Sequence, residues 1–412
     1  MRTPLWRPIL DGVLRAQVEA VISEIAVDLR AHVTLERHLT GDLGSGAAGI
    51  ALFFHYLERA RPRDPFAGTA AELLERAAAT VCEEELPFGL YGGIGGVGWV
   101  CQHVWRFGTE DDTLDEIDAG ICRLLATDAC TEFYDLISGL TGLGVYGLER
   151  WPAGRSREIL QGIADRLVAL ARPVEPGLAW LTPPPPGAEG RDARFPDGYY
   201  NCGAAHGVPG VLVVLAACAR RDIATDAAMA ALGSGLRWLL RQESTTEGRT
   251  RFPTVVSLAG EPVPSRLAWC YGDPGIAGLL ACAARELEDG QLMDRALSVA
   301  HHAATVGPEL DGIVDTPLCH GTAGVAHIFN RLHQATGDAA CVEAARAWYR
   351  RLLEMRTPGR GLGGFQRCRL DVFDDSPGFL EGSAGVGLAL LAAVSDVAPD
   401  WDRVLLLSLA PA

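Results

Sequence analysis

Two cysteines and a histidine stand out by type and by position. Cys270 lies two residues before Gly272, while Cys319 and His320 lie two and one before Gly321. Thiolate and imidazole are ligands that zinc prefers, and three protein ligands leave a fourth position for water or substrate. Zn2+ held by two thiolates and a neutral imidazole is charge-balanced, and a substrate thiol entering as thiolate adds one negative charge. Such a thiolate is kept deprotonated yet stays nucleophilic, which suits alkylation of a thiol better than activation of water.

Other reactive residues fall at the same kind of place. Asp135 lies four residues before Gly139, His206 one before Gly207, Tyr271 one before Gly272 and Glu381 one before Gly382. His206 suits a general acid or base near neutral pH. Arg266, four residues before Cys270, could stabilise a developing enolate or orient Asp135. Tyr271 is either packing or a proton donor. Asp135 could equally cap a helix. Asp273-Pro274 reads as a cap followed by proline at the first helical position. Glu381 stays open between a structural and a functional role.

A free cysteine is usually a small buried hydrophobe. That is the expectation for Cys82, Cys101, Cys122, Cys130, Cys202, Cys218, Cys282, Cys341 and Cys368. Cys202 is the hardest of these to dismiss, because it lies close to His206. His301, His302, His327 and His333 sit in helical text and read as structural.

The elements that must position these residues are marked by glycine, which makes up 48 of 412 residues. That is roughly 12% against a usual share of about 7%. A Gly-x-x-Gly turn followed by an apolar stretch recurs seven times, starting at Gly46, Gly93, Gly139, Gly207, Gly272, Gly321 and Gly382. The stretches that follow, such as VLVVLAACARR, read as helices buried on most faces. Between them lie amphipathic helices such as QLMDRALSVAHHAATV, with apolar residues three and four apart. Glycine at the turn permits positive φ and close approach of neighbouring helix starts.

The expected fold is therefore all-α: a double-layered α/α barrel, or toroid, of seven helix pairs in a single domain over 1–412. An open α-solenoid is the alternative. Two proline- and glycine-rich segments, at about 173–200 and 243–269, are expected to be irregular loop insertions. Within the second, RFPTVVSLAG could form a short strand pair. In a closed barrel, Asp135, His206, Cys270, Cys319 and His320 gather at one mouth.

Composition narrows the classes further. The net charge is −16 and no lysine occurs, so all 36 basic residues are arginine. An acidic surface argues against general binding of nucleic acid, which requires neutralising phosphates. Eleven cysteines, spread from Cys82 to Cys368 without small-scaffold spacing, point to a reducing cytoplasm. No apolar run is long enough for a transmembrane segment, and the N-terminal text lacks a signal-peptide core.

The motifs DLISGLTG at 135–142, NCGAAHGVPG at 201–210, RLAWCYGDPG at 266–275 and LCHGTAGV at 318–325 together resemble the lanthionine cyclase (LanC) family. The seven turns extend that resemblance along essentially the whole chain. It implies a seven-fold α-toroid with one catalytic zinc on Cys270, Cys319 and His320. It implies catalytic roles for His206 and Asp135, with Arg266 and Tyr271 lining the site. The implied reaction adds a peptide cysteine thiol to dehydroalanine or dehydrobutyrine, closing a (methyl)lanthionine ring. The implied partners are a dehydrated precursor peptide, a separate dehydratase and an export transporter, with membrane association only through partners. Chain length fits a stand-alone cyclase. Alternatives are another zinc-dependent thiol-alkylating enzyme, by glutathione addition or prenyl transfer, or a non-catalytic zinc scaffold for modified peptides.

Overall fold

The computed structural model describes residues 6–36, 38–83, 86–106, 114–127, 133–184, 194–244 and 250–408. Among the expected buried thiols, Cys130 and the side chain of Cys82 lie outside what is described. Fourteen α-helices alternate along the described chain in two kinds. One kind is amphipathic: α1 (Gly12–Leu35), α3 (Thr69–Glu83), α5 (Asp115–Leu125), α7 (Ser156–Leu170), α9 (Asp226–Arg241), α11 (Gly290–Thr305) and α13 (Ala339–Glu354). In α11 the buried residues are Leu292, Ala296, Val299, Ala300 and Ala303, a stripe at helical spacing.

The second kind is α2 (Ala47–Ala60), α4 (Ile94–Trp105), α6 (Leu140–Arg150), α8 (Val208–Arg220), α10 (Asp273–Leu287), α12 (Thr322–Thr336) and α14 (Ser383–Val394). These are buried almost all round, and every residue of α14 is buried. Their N-caps are the seven turn glycines, Gly46, Gly93, Gly139, Gly207, Gly272, Gly321 and Gly382. Each helix of the second kind thus begins where the sequence repeat places it.

The reason for glycine differs from the expectation in one respect. Among the seven N-caps only Gly272 has positive φ, at 96°. The others are extended, and what Gly46, Gly139, Gly207, Gly272, Gly321 and Gly382 share is crowding rather than a left-handed backbone. A Cβ added at Gly139 would sit 2.4 Å from the Phe133 carbonyl oxygen, and one at Gly272 would sit 1.7 Å from that of Arg266. A glycine cap has no side chain to satisfy the orphan N–H groups of the first turn. The preceding loop does this instead, through a carbonyl seven residues back. Ala47 donates to Thr40, Ile94 to Pro87, Leu140 to Phe133, Thr322 to Asp315 and Ser383 to Ser376, at 2.8–3.1 Å.

The chain divides into two compact units. The first holds residues 1–87, 91–106 and 312–402. In it α2 packs on α3, α12 on α13, and α14 on α1, α2 and α12. It also carries a hairpin of β6 (Arg367–Arg369) and β7 (Val372–Asp374). The second unit holds residues 88–90, 107–311 and 403–412. There α10 packs on α8 and α11, and α7 on α5, α6, α8 and α9. A fully buried ion pair, Arg150 Nη2 to Asp118 Oδ2 at 2.9 Å, braces α6 against α5.

The second unit corrects the expectation of irregular insertions at 173–200 and 243–269. It contains a five-stranded antiparallel sheet of β1 (Ala171–Val174), β2 (Gly177–Thr182), β3 (Tyr199–Asn201), β4 (Val255–Ser257) and β5 (Pro262–Val263), paired in that order. Of the strand pair expected within RFPTVVSLAG only β4 lies there; its partner β5 follows the segment. Glu175-Pro176, which reads as loop, is the two-residue connection of the β1–β2 hairpin, with Val174 paired to Gly177. Trp180 of β2 is fully buried, and its indole N–H donates to the Leu167 carbonyl at 2.7 Å. Burial of that one ring against α7 and α9 anchors the sheet, and its loss would cost about 3–5 kcal/mol. No described helix is long and apolar enough to cross a membrane.

Candidate active site

A second backbone pattern explains why reactive residues recur just before the turn glycines. In the first unit the N–H of Cys319 donates to Leu380, that of Leu380 to Gly44, and that of Gly44 to Tyr91, at 2.8–3.0 Å. All four residues stand two before a turn glycine. In the second unit Leu136 donates to Ala205 and Ala205 to Cys270, at 3.1 and 3.3 Å. Successive turns are therefore stitched together at this register or, for Leu136, one residue before it, and their neighbouring side chains are brought to one place within each unit.

In the second unit the structure brings together Asp135, His206, Tyr271, Cys270 and Arg266. Asp135 Oδ1 accepts the backbone N–H of Ser138 and Gly139, at 2.8 and 3.0 Å. Its Oδ2 lies 2.7 Å from His206 Nδ1. Asp135 is therefore both the loop cap and the partner of His206. Against a carboxylate, Nδ1 carries the proton and donates, so the imidazole lone pair sits on Nε2. The His206 ring stacks near Tyr271, with centroids 6.2 Å apart. Arg266 Nη2 donates towards Cys270 Sγ at 3.8 Å. Of the two roles open for Arg266, orienting Asp135 is not what its contact provides; the guanidinium faces the thiol.

Asn201 is a residue the sequence reading passed over. It is buried, its Nδ2 donates to the Tyr271 hydroxyl at 3.4 Å, and its Oδ1 accepts the Gly203 N–H at 2.8 Å. A Cβ at Gly203 would lie 2.4 Å from both the Cys270 carbonyl oxygen and the Tyr271 ring. The NCG text before AAHG thus lets Cys270 and Tyr271 approach. Asp273 corrects an expectation: the cap is Gly272, and Asp273 is buried in the first turn. Its carboxylate accepts the N–H groups of Arg251 and Phe252 at 2.8–3.0 Å, and burial raises its pKa to about 6.

In the first unit the structure brings together Cys319, His320, Glu381, Asp315 and Tyr91. One potential ligand atom from each of Cys319, His320 and Glu381 lies within 4.8 Å of the others. His320 Nε2 lies 3.0 Å from Asp315 Oδ2. With Nε2 protonated towards that carboxylate, the lone pair sits on Nδ1. Glu381 accepts from Arg367 Nη1 at 3.2 Å. Burial holds the Tyr91 hydroxyl well above its ordinary pKa, and the nearby Cys319 thiol adds to this. The sequence reading passed over both, although Tyr91 stands two residues before Gly93 and Asp315 six before Gly321, the offset of Arg266 from Gly272.

The donor chemistry of this group fits zinc. It offers a thiol, an imidazole oriented by a carboxylate, and a further carboxylate. Asp315 Oδ1 is buried and accepts no hydrogen bond among the described residues. His320 is also the only described ion-pair partner of Asp315. A buried carboxylate so weakly compensated favours a cation beside it.

The cysteines expected to be bland are mostly so. Cys101, Cys122, Cys202, Cys218, Cys282 and Cys341 are buried, whereas Cys368 is only half-buried. Burial pushes the Cys202 thiol far up, and its N–H donates to Thr254, so proximity to His206 in sequence does not make it reactive. His333 and His327 are structural, bonded to the Asp338 carbonyl and to Asp402.

Comparison with known proteins follows the same lines. A family model described as lanthionine synthetase C-like protein matches residues 38–406. Nisin biosynthesis protein NisC of Lactococcus lactis subsp. lactis is 25% identical over 158 residues, which is 35% of this chain and 37% of that protein. That alignment spans little more than a third of the curated relative. A solved structure of nisin cyclase matches with a TM-score of 0.73 at 21% identity, over 95% of this chain and 97% of that one. A sugar epimerase from a ruminal bacterium matches at 0.50 and 12% identity, over 90% and 98%. The fold class is that of nisin cyclase, an all-α α/α toroid. The epimerase likeness is a reminder that fold alone does not fix activity.

Proposed function

Because the chain belongs to the lanthionine synthetase C-like family, we propose that it is a zinc-dependent cyclase closing thioether rings in a dehydrated peptide. The observation that carries this reading is the register of the turns. Cys270 and Cys319 occupy the same position two residues before a turn glycine, with His320, His206 and Tyr271 one residue on. The proposed metal ligands are Cys270, Cys319 and His320. Zinc bound there would supply a Lewis-acidic site that keeps a substrate cysteine deprotonated at neutral pH.

The remaining chemistry falls to the chain's own side chains. The substrate sulfur adds to the β-carbon of dehydroalanine or dehydrobutyrine, forming the C–S bond. The π electrons move towards the α-carbon and its carbonyl, building enolate charge. Arg266, already facing the Cys270 sulfur, offsets negative charge as it gathers there. His206 Nε2 first takes up the proton released by the substrate thiol, and the resulting imidazolium delivers it to the α-carbon, while Asp135 holds the ring through Nδ1 and stabilises its charged form. Tyr271, held by Asn201, walls the His206 ring. The proton lost by the thiol balances the one gained at the α-carbon, so ring closure leaves the peptide mass unchanged. A separate dehydratase would supply the substrate, and an export transporter would take the product; any membrane association would run through such partners.

A peptide carrying one cysteine and one dehydroalanine tests this. Incubation with the zinc-loaded protein should make the thiol resistant to alkylation at unchanged mass. Metal chelation should stop this and added zinc restore it. A thiol that stays fully alkylatable would overturn the activity. Transfer of added glutathione to the dehydroalanine in place of ring closure would favour the intermolecular enzyme.

A further inference from the structure

Asp315 lies six residues before Gly321, the same offset at which Arg266 precedes Gly272 and Asn201 precedes Gly207. Asp315 is 2% exposed. A single oxygen, Oδ2, receives two donors: the His320 ring at 3.0 Å and the backbone N–H of Cys368 at 2.8 Å. Cys368 is the middle residue of β6, in the hairpin that also places Arg367 on Glu381. The Asp315 carbonyl meanwhile accepts the Thr322 N–H at the start of α12. This one residue thus touches the helix start, the candidate metal histidine and the hairpin.

We propose that Asp315 is a positioning residue that fixes His320 as an Nδ1 ligand and couples the β6–β7 hairpin to metal binding. The inference rests on the zinc reading above. A neutral imidazole has one proton, and its hydrogen bond to Asp315 places that proton on Nε2, which leaves the lone pair on Nδ1 for a metal. A buried carboxylate whose second oxygen has no described donor also makes His320 a stronger electron donor. When His320 ligates a cation, the charge on Asp315 is better compensated. The shared oxygen then holds both of its N–H donors more firmly, Cys368 included. Metal affinity and protection of the hairpin should therefore rise and fall together.

The test measures zinc affinity by competition with a chromophoric chelator, together with amide hydrogen exchange at Cys368. Wild type, Asp315→Ala and Asp315→Asn are compared. Asp315→Ala should weaken zinc binding by about 10–100-fold, within the range seen for outer partners of metal histidines. Asp315→Asn keeps an acceptor for the ring N–H and should fall between the two. In the wild type, zinc should slow exchange at Cys368; in Asp315→Ala it should not. The visible spectrum of the Co2+-loaded variants should shift, a change that a merely structural role would not produce. Wild-type zinc affinity in a folded Asp315→Ala protein would overturn the positioning role and leave the zinc reading standing. If Asp315→Ala fails to fold, Asp315→Asn carries the same measurement, and wild-type affinity together with a wild-type Co2+ spectrum there would overturn the role. A wild-type protein that takes up no zinc would overturn the metal reading itself.

Discussion

Two histidine–carboxylate pairs in this protein have similar lengths and opposite surroundings. His206 Nδ1 is 2.7 Å from Asp135 Oδ2, and His327 Nε2 is 2.9 Å from Asp402 Oδ2. The side chains of the first pair are 40% and 20% exposed, while those of the second are fully buried. His206 stands at the mouth of a turn, one residue before Gly207. His327 lies inside α12, its ring 4.5 Å from that of Trp401, and Arg331 also binds Asp402. Burial lowers the His327 pKa despite the carboxylate. The pairing is common to both, so it does not make a site. What separates them is access and register: one imidazole can meet a substrate, and the other ties the 3₁₀ turn Asp400–Leu405 to α12.

Breaking the open pair should have the largest effect, and on chemistry. His206→Asn should cut ring closure by about 10²–10⁴-fold, the usual worth of a general acid. Thermal stability should barely move, because the ring is partly exposed. Comparable turnover in the variant would remove His206 from the mechanism. Breaking the sealed pair should act on stability instead. Asp402→Ala leaves Arg331 and His327 without their buried carboxylate, and should cost about 3–5 kcal/mol in denaturant unfolding. Cyclisation per folded molecule should stay at the wild-type level. If activity fell while stability held, the distinction drawn here would fail.

A smaller effect should come from the support of the open pair. Asn201→Ala removes the acceptor of the buried Gly203 N–H and one donor to the Tyr271 hydroxyl, at about 1–3 kcal/mol. Ring closure should fall by less than in His206→Asn, read under single-turnover conditions. The smallest effect concerns His55, which is held by no carboxylate among the described residues. Burial, followed by the charges of His103, Arg59 and Arg106, lowers its pKa to about 4. The unfolded chain protonates this histidine first as pH falls, so its contribution to stability is present above about pH 6.5 and is lost towards pH 4. His55→Gln should flatten that limb of a stability–pH curve; an unchanged slope would contradict the assignment.

Much of the frame could be read before any coordinates. The Gly-x-x-Gly pattern located the starts of α2, α4, α6, α8, α10, α12 and α14, and at all of these but α4 a repeated backbone crowding is seen to select glycine. The amphipathic stretches became α3, α11 and α13 for the ordinary reason of one apolar stripe. The sheet was missed because Pro173, Pro176 and Gly177 mask a hairpin whose signal is short, with Ala179 and Trp180 as its buried part. The site was half legible. His206 and Asp135 announced themselves by type and place. Asp315, Asn201 and Tyr91 were passed over although they share offsets with Arg266 and Cys319, since each acts through a contact or through burial that only the structure shows. The bonds seven residues back, and those linking successive turns, use carbonyl and N–H groups that every residue has and so leave no mark on the text.

The central claim is that two cysteines from different turns and His320 hold one zinc. X-ray absorption at the zinc edge of the loaded protein tests this most directly. Two sulfur donors at about 2.3 Å and nitrogen at about 2.0–2.1 Å are predicted. Cys270→Ala and Cys319→Ala should each remove one sulfur. A shell of oxygen and nitrogen alone, or a sulfur count untouched by either substitution, would contradict the account.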